Sequence, residues 1–269
     1  MPLAIDLSGK TILVCGVARG GIGGATARQI AKAGGTVIAL DKDRAVIDPT
    51  IADVEALGGE IHPMVADLMD VAVCERVIPD IIAKFGRLDG IANVAGGTRE
   101  GEWMPLDETP GETFWQSLQL NLAYIFYLCR DAAAHWIKTD AKGAIVNVSS
   151  ISSLASAPWH GPYGAAKSGI TALTRTMANE WHEFGIRANS VLPGSVSTER
   201  VMSRVSPANV VAGEMNFTEP VELANAITFL LSDLASGISG QSLTADRSLS
   251  TKFCAGARRS RRAIAAEAA

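Results

Sequence analysis

Long hydrophobic runs, clustered cysteines and a dominant charge sign are all scarce in this 269-residue chain. No apolar stretch approaches the ~18 residues that a membrane-crossing helix needs. The densest, Ala123 to Cys129, is short and has polar neighbours. The segment Met1 to Lys10 carries two charges and no apolar core, so it does not read as a secretory leader. These absences lead us to expect a soluble, cytoplasmic protein that engages no membrane. Cys15, Cys74, Cys129 and Cys254 are far apart, with no Cys-x-x-Cys and no histidine at ligand spacing. That pattern argues against a zinc site or a disulfide framework, and we read the four as reduced thiols. Lys and Arg number 24 against 28 Asp and Glu, a net charge of −4 that gives the folded body no electrostatic reason to seek nucleic acid.

Apolar residues make up 48% of the chain and charged residues 19%, which excludes disorder over most of its length. The 26 glycines follow no triplet period, which excludes collagen and leaves them local backbone tasks. Short apolar runs recur at Thr11 to Cys15, Thr36 to Leu40, Ile61 to Ala66, Gly90 to Val94, Ala144 to Val148, Arg187 to Leu192 and Ser242 to Ala245. The segments between them have helical spacing, clearest from Phe114 to Trp136 and from Ala166 to Trp181. Strands alternating with helices predict an α/β fold: a single-domain, doubly wound parallel sheet of about seven strands with helices on both faces. No linker interrupts the alternation, so residues 1–251 form one domain, with a net charge of −8. Residues 252–269, with four arginines among alanines and a net charge of +4, read as a basic tail.

The first strand runs into Gly16, and Gly20, Gly21, Gly23 and Gly24 follow before a helix begins. Glycines between strand and helix let the backbone approach a pyrophosphate, which free N–H groups and the helix dipole then hold. Asp41 closes the second strand 18 residues beyond Gly23. A carboxylate there accepts both hydroxyls of an adenosine ribose and repels a 2′-phosphate, which favours NAD. Arg19 in the loop, and Lys42 and Arg44 behind Asp41, are able to neutralise a 2′-phosphate, so NADP stays open as the alternative.

Tyr163 and Lys167 stand four residues apart at the start of an amphipathic helix, hence on one face, and Ser150 ends the preceding strand segment. A cation about 4 Å from the phenol contributes on the order of 4 kcal/mol at an effective dielectric near 20, lowering the phenol pKa by up to ~3. Lys167 is thereby expected to make Tyr163 a usable acid or base at neutral pH.

With these residues in view, the chain from residue 8 to about 246 resembles the short-chain dehydrogenase/reductase family. The matching motifs come in order: Gly16 to Gly23, Asp67-Leu68, Asn93-Val94-Ala95-Gly96, Asn121, the Ser150, Tyr163 and Lys167 set, and Pro193-Gly194 with Thr198. The resemblance implies a Rossmann-type fold, a nicotinamide cofactor, and reversible oxidation of a small-molecule alcohol to a ketone or aldehyde. It implies that Tyr163 moves a proton at the substrate oxygen, that Ser150 holds that oxygen, and that Lys167 tunes Tyr163 and binds the nicotinamide ribose. Asn121 would hold a water between Lys167 and solvent. The cofactor would lie along Gly16, Arg19, Gly21, Ile22, Gly23, Asp41, Asp67, Leu68, Asn93, Ala95 and Gly96, with Pro193, Gly194, Val196 and Thr198 around the carboxamide. Ser149, Ser152 and Ser153 neighbour Ser150, but only Ser150 has the family spacing to Tyr163.

Three departures stand out. The glycine loop holds four residues between Gly16 and Gly21, one more than the family pattern, and Cys15 replaces a threonine that ties the loop down. Asp246 is followed by Arg247 and Ser248 where the family reads Gly-Gly, which puts the usual tetramer geometry in question, although the two long helices still argue for a homodimer or homotetramer. The substrate segment is apolar: Trp103, Trp159 and His160 near Tyr163, with Met202, Met215 and Phe217 after Thr198, predict an apolar or cyclic alcohol or ketone. Both tryptophans could equally serve the core or an interface. The alternatives are an NADPH-dependent carbonyl reductase and a non-catalytic nucleotide sensor of the same fold, which the complete catalytic set argues against.

Overall fold

The computed structural model describes residues 4–99, 101–203 and 217–251. The basic tail, Cys254 and Met215 lie outside them. In chain order the elements are β1 (Thr11–Cys15), α1 (Ile22–Lys32), β2 (Thr36–Asp41), α2 (Arg44–Ala56), β3 (Ile61–Val65), α3 (Val71–Phe85) and β4 (Gly90–Asn93). Then come α4 (Gly111–Leu118), α5 (Tyr124–Thr139), β5 (Gly143–Val148), α6 (Gly161–Trp181), β6 (Ile186–Pro193), α7 (Glu199–Met202), α8 (Pro220–Leu231) and β7 (Ser242–Ala245). All seven strands pair in parallel, in the order β3-β2-β1-β4-β5-β6-β7.

Strands β1, β4 and β5 are buried along their whole length, which is why they read as mostly apolar runs rather than alternating ones. Ile30, Ile47, Val54, Leu223 and Ile227 bring α1, α2 and α8 onto one face of the sheet. Cys74, Ile81, Leu128, Trp136, Ile170 and Met177 bring α3, α5 and α6 onto the other. Asp43 and Asp70 cap α2 and α3 with their carboxylates, and α8 starts with a reciprocal Glu219–Glu222 box behind Pro220. Cys15, Cys74 and Cys129 are buried free thiols, and burial pushes Cys129 up to about 12, so they remain protonated core residues.

The helix predicted from Phe114 to Trp136 is present but not uniform. Between α4 and α5, residues Gln119–Ala123 form a wide π turn carrying Asn121. Apolar spacings of three and four persist through such a turn, so periodicity does not reveal it.

At Asp246 the chain turns as tightly as glycines would allow, with side chains in place. Arg247 has φ 49° and Ser248 φ 66°, both left-handed. Buried Asp246 holds the turn by accepting from the Ser248 and Ser250 amides at 3.0 and 2.6 Å. Left-handed non-glycine residues cost about 1 kcal/mol or more each. Ser248→Gly should therefore raise stability by about 1 kcal/mol, or ~2–4 °C in Tm for a domain of this size. Thermal unfolding checks this, and no increase would mean that the turn is unstrained.

Candidate active site

The sheet order reverses between β1 and β4, and a cleft of about 910 Å³ opens at the carboxyl ends of the strands there. Gly16, Arg19, Gly21, Ile22, Gly23, Asp41, Asp67, Leu68, Ala95, Gly96 and Thr198 line it. The extra loop residue is absorbed in a turn closed by the Gly21 amide on the Ala18 carbonyl at 2.9 Å. Helix α1 begins at once, and a Cβ on Gly23 would overlap the Gly16 carbonyl oxygen, so only glycine lets the helix N-terminus sit this close to β1. In place of the family's threonine, the loop is tied by Thr50, whose hydroxyl donates to the Val17 carbonyl at 2.7 Å.

Asn93 differs from expectation. Its side chain is buried and donates to Asn147 at 2.8 Å, and Asn147 donates to Thr174 at 2.9 Å, joining β4, β5 and α6. The cleft at that point is lined by Val94, Ala95 and Gly96 instead. Pro193, Gly194 and Val196 form the connection that delivers Thr198 to the cleft rather than its wall; Thr198 caps α7 through Val201 at 3.2 Å.

The adenine-side charges are paired off in a definite way. The Asp41 carboxylate accepts from the amides of Val17 at 3.0 Å and Lys42 at 2.8 Å. Arg19 turns onto Asp53, with Nη2 at 2.8 Å from one oxygen and Nε at 3.0 Å from the other. Arg28 reaches the same carboxylate at 3.0 Å, and Arg44 is paired with Asp48.

Ser150, Tyr163 and Lys167 converge behind Gly96 of the cleft wall, where a Cβ on Gly96 would stand 3.5 Å from the Lys167 ammonium. Lys167 is buried; its ammonium donates to the Val148 carbonyl at 2.9 Å and lies 5.4 Å from the centre of the Tyr163 ring. Burial, with a smaller push from the Arg200 charge, lowers Lys167 to about 7. The expected lowering of Tyr163 by Lys167 does not appear. Burial raises the phenol above its ordinary value, while the Ser150 hydroxyl and the Arg200 guanidinium pull it back. Desolvation wins because both groups share one water-poor pocket.

The rival serines have other partners. Ser149 donates to the Lys167 carbonyl at 2.8 Å and Ser153 to the Ser150 carbonyl at 2.7 Å, while Ser152 hydrogen-bonds Ser150 itself at 3.1 Å. Asn121 accepts from the Gly97 amide at 2.7 Å and donates to the Gly97 and Ser117 carbonyls, both at 3.0 Å. Its amide protons are thus taken up in clamping the loop after β4. A water relay of the kind the resemblance implies would have to run through main-chain groups.

His160 packs between Trp103, 4.0 Å away, and Tyr163, 4.5 Å away, measured between ring centres. Trp159 is half-exposed with φ 66°, and its carbonyl accepts from the Met104 amide at 3.0 Å, joining the two loops. Met202 is exposed on α7, and Phe217 is half-buried. Neither Arg200 nor Glu199 was identified from sequence. A Cβ on Gly97 would overlap the Arg200 guanidinium, and the Glu199 carboxylate lies against Gly20 across the cleft mouth. Their only sequence signal is position, directly after Thr198.

The chain matches, over residues 16–249, a family model described as enoyl-(acyl carrier protein) reductase. It is 34% identical over 248 residues to the 2,5-dichloro-2,5-cyclohexadiene-1,4-diol dehydrogenase of Sphingobium indicum, covering 90% of this chain and 97% of that one. This protein belongs to the short-chain dehydrogenase/reductase family. To the 3-oxoacyl-[acyl-carrier-protein] reductase of Thermotoga maritima it is 33% identical over 90% of this chain and 98% of the other. A solved 7α-hydroxysteroid dehydrogenase in complex with NADH and 7-oxo glycochenodeoxycholic acid superposes with a TM-score of 0.81 at 27% identity, covering 89% of this chain and 94% of that one. The protein is therefore an oxidoreductase of CH–OH groups and carbonyls, with a nicotinamide dinucleotide as cofactor. The glycine cradle under α1 and the carboxylate at the tip of β2 fit such a dinucleotide. No described helix is long and apolar enough to cross a membrane.

Because Arg200 pulls the Tyr163 phenol towards ionisation, Arg200→Gln should raise the phenol pKa. The rising limb of kcat/KM against pH for alcohol oxidation should then move to higher pH. An unshifted profile would show that the Arg200 charge does not act on the phenol during turnover.

Proposed function

We propose that the protein is an NAD-dependent dehydrogenase of neutral, cyclic secondary alcohols, acting in reverse on the matching ketones. The observation that carries this reading is the cluster of Ser150, Tyr163 and Lys167 behind Gly96 and Arg200, two residues that line a cleft also walled by Asp41. The bound nicotinamide supplies the hydride acceptor or donor. Tyr163 takes the hydroxyl proton of the alcohol on its phenolic oxygen and returns it in the reverse direction. Ser150 donates to the substrate oxygen and holds it beside the phenol. Lys167 stands beneath that phenol, its ammonium held on the Val148 carbonyl and its pKa lowered to about 7 by burial.

NAD is favoured because Asp41 stands at the ribose end and two of the cations near it, Arg19 and Arg44, are engaged by Asp53 and Asp48, although Lys42 also lines the cleft. A neutral cyclic substrate is supported by the aromatic row of Trp103, His160 and Tyr163, and by the relative named for a cyclic diol. We also assign self-association to the outer faces of α5 and α6, where Phe126, Tyr127, Leu122 and Leu173 border a shallow apolar groove.

With NAD and a panel of cyclic alcohols, absorbance of reduced nicotinamide should grow, and Tyr163→Phe should cut kcat by about 10²-fold or more. Undiminished turnover in that variant would sink the mechanism. Asp53→Asn should free Arg19 and raise the NADP-to-NAD ratio of kcat/KM on the order of tenfold, the worth of one charge-assisted hydrogen bond. An unchanged ratio would mean that Asp53 does not restrain Arg19.

A further inference from the structure

His160 packs against the reacting phenol, Glu102 precedes the Trp103 that packs on His160, and each of the two side chains keeps one hydrogen-bonding atom the protein does not use. His160 and Glu102 are 9% and 8% exposed, yet His160 Nε2 and Glu102 Oε1 have no hydrogen-bond partner among the described residues. Buried polar atoms are almost always paired; Asn93 Oδ1 and Ser117 Oγ are also unpaired but lie singly, whereas His160 and Glu102 are neighbours on the substrate side of Tyr163 and together suit a ligand.

Both side chains are held in place. His160 is the residue from which α6 starts, its carbonyl accepting from the Gly164 amide at 3.0 Å, and its ring is fixed between Trp103 and Tyr163. The other oxygen of Glu102 accepts from the Arg99 amide at 2.9 Å, which anchors the carboxylate, while Oε1 has the Arg99 guanidinium at 4.0 Å, an ion pair too long for a hydrogen bond. The two are near enough that the Glu102 charge acts on the imidazole.

We propose that His160 and Glu102 form a second oxygen subsite, holding a further hydroxyl of a neutral diol or hydroxy ketone while Tyr163 and Ser150 hold the reacting carbinol. This rests on the reading of the protein as an alcohol dehydrogenase. A hydroxyl suits the pair because its one proton goes to the carboxylate while its oxygen accepts from the imidazole in the tautomer that carries the proton on Nε2. A carboxylate or phosphate on the substrate would meet the like charge of Glu102. A bare methylene would leave both orphans buried and unpaired, and sites built in this way reject the analogue that lacks the group far more strongly than apolar pockets do. The second hydroxyl is bound and not oxidised, so a diol leaves as a hydroxy ketone and no chemical step is added.

The test compares kcat/KM of the full chain with NAD on matched pairs: cis- and trans-cyclohexanediols against cyclohexanol, and butanediol against butan-2-ol. At least one diol should exceed its mono-alcohol by about tenfold or more. Glu102→Leu and His160→Phe should each bring that ratio below about threefold, mainly through KM, whereas His160→Gln, which keeps a donor and an acceptor, should retain most of it. Circular dichroism and NAD binding followed by fluorescence verify that each variant is folded. Equal turnover of every pair by the wild type, or a diol preference that survives both Glu102→Leu and His160→Phe, would overturn the subsite and leave alcohol oxidation standing. No turnover of any alcohol or diol would instead overturn the dehydrogenase reading, and the subsite with it.

Discussion

The buried ammonium of Lys167 is the constraint around which the catalytic end of the molecule is built. It lies where β5, α6 and the loop after β4 meet, and it donates to the end of β5 through the Val148 carbonyl at 2.9 Å. A charge taken out of water is expensive to keep, and the protein responds by letting its pKa fall to about 7 rather than by pairing it with a carboxylate. The same burial raises the Tyr163 phenol. The two shifts have one cause and opposite consequences: the acid becomes harder to ionise while the base below it becomes easier to neutralise. Proton traffic at the site is governed by how these two energies compare, with Arg200 lowering both.

Several features that look unrelated serve that burial. The π turn between α4 and α5 brings Asn121 to the Gly97 main chain, which fixes the loop above Lys167. The Asn93–Asn147–Thr174 chain ties β4 and β5 to the helix carrying the lysine, so that a polar network inside the sheet sets the height of α6 over the strand ends. Ser149 adds a further tie through the Lys167 carbonyl. At the opposite end of the cleft the limiting factor is steric: α1 approaches β1 so closely that Gly23 has no room for a side chain.

Much of the scaffold was legible from the residues. All seven strands begin and end within one residue of the apolar runs, because a parallel sheet covered on both faces makes its strands predominantly apolar. The cradle was legible because glycine between strand and helix has few other uses. The π turn was not, since an inserted residue leaves three-and-four spacing intact. Nor was the pairing of Arg19 with Asp53, whose 34-residue separation is closed only when α2 packs beside α1. His160 could be placed near Tyr163 by counting residues, but its orphaned nitrogen and its proximity to Glu102 exist only once two loops have met through Met104 and Trp159.

By itself, then, the sequence determined the order of strands and helices, the glycine cradle, and the identity of the groups able to move a proton. These are local matters, set by side-chain volume, backbone freedom and functional-group chemistry. Only the tertiary structure decided the states of those groups: that desolvation outweighs the lysine charge at Tyr163, that the loop arginine is neutralised, and that two polar atoms beside the phenol are left unpaired. Such outcomes depend on distance and on the exclusion of water, and both arise only when segments remote in the chain are packed together.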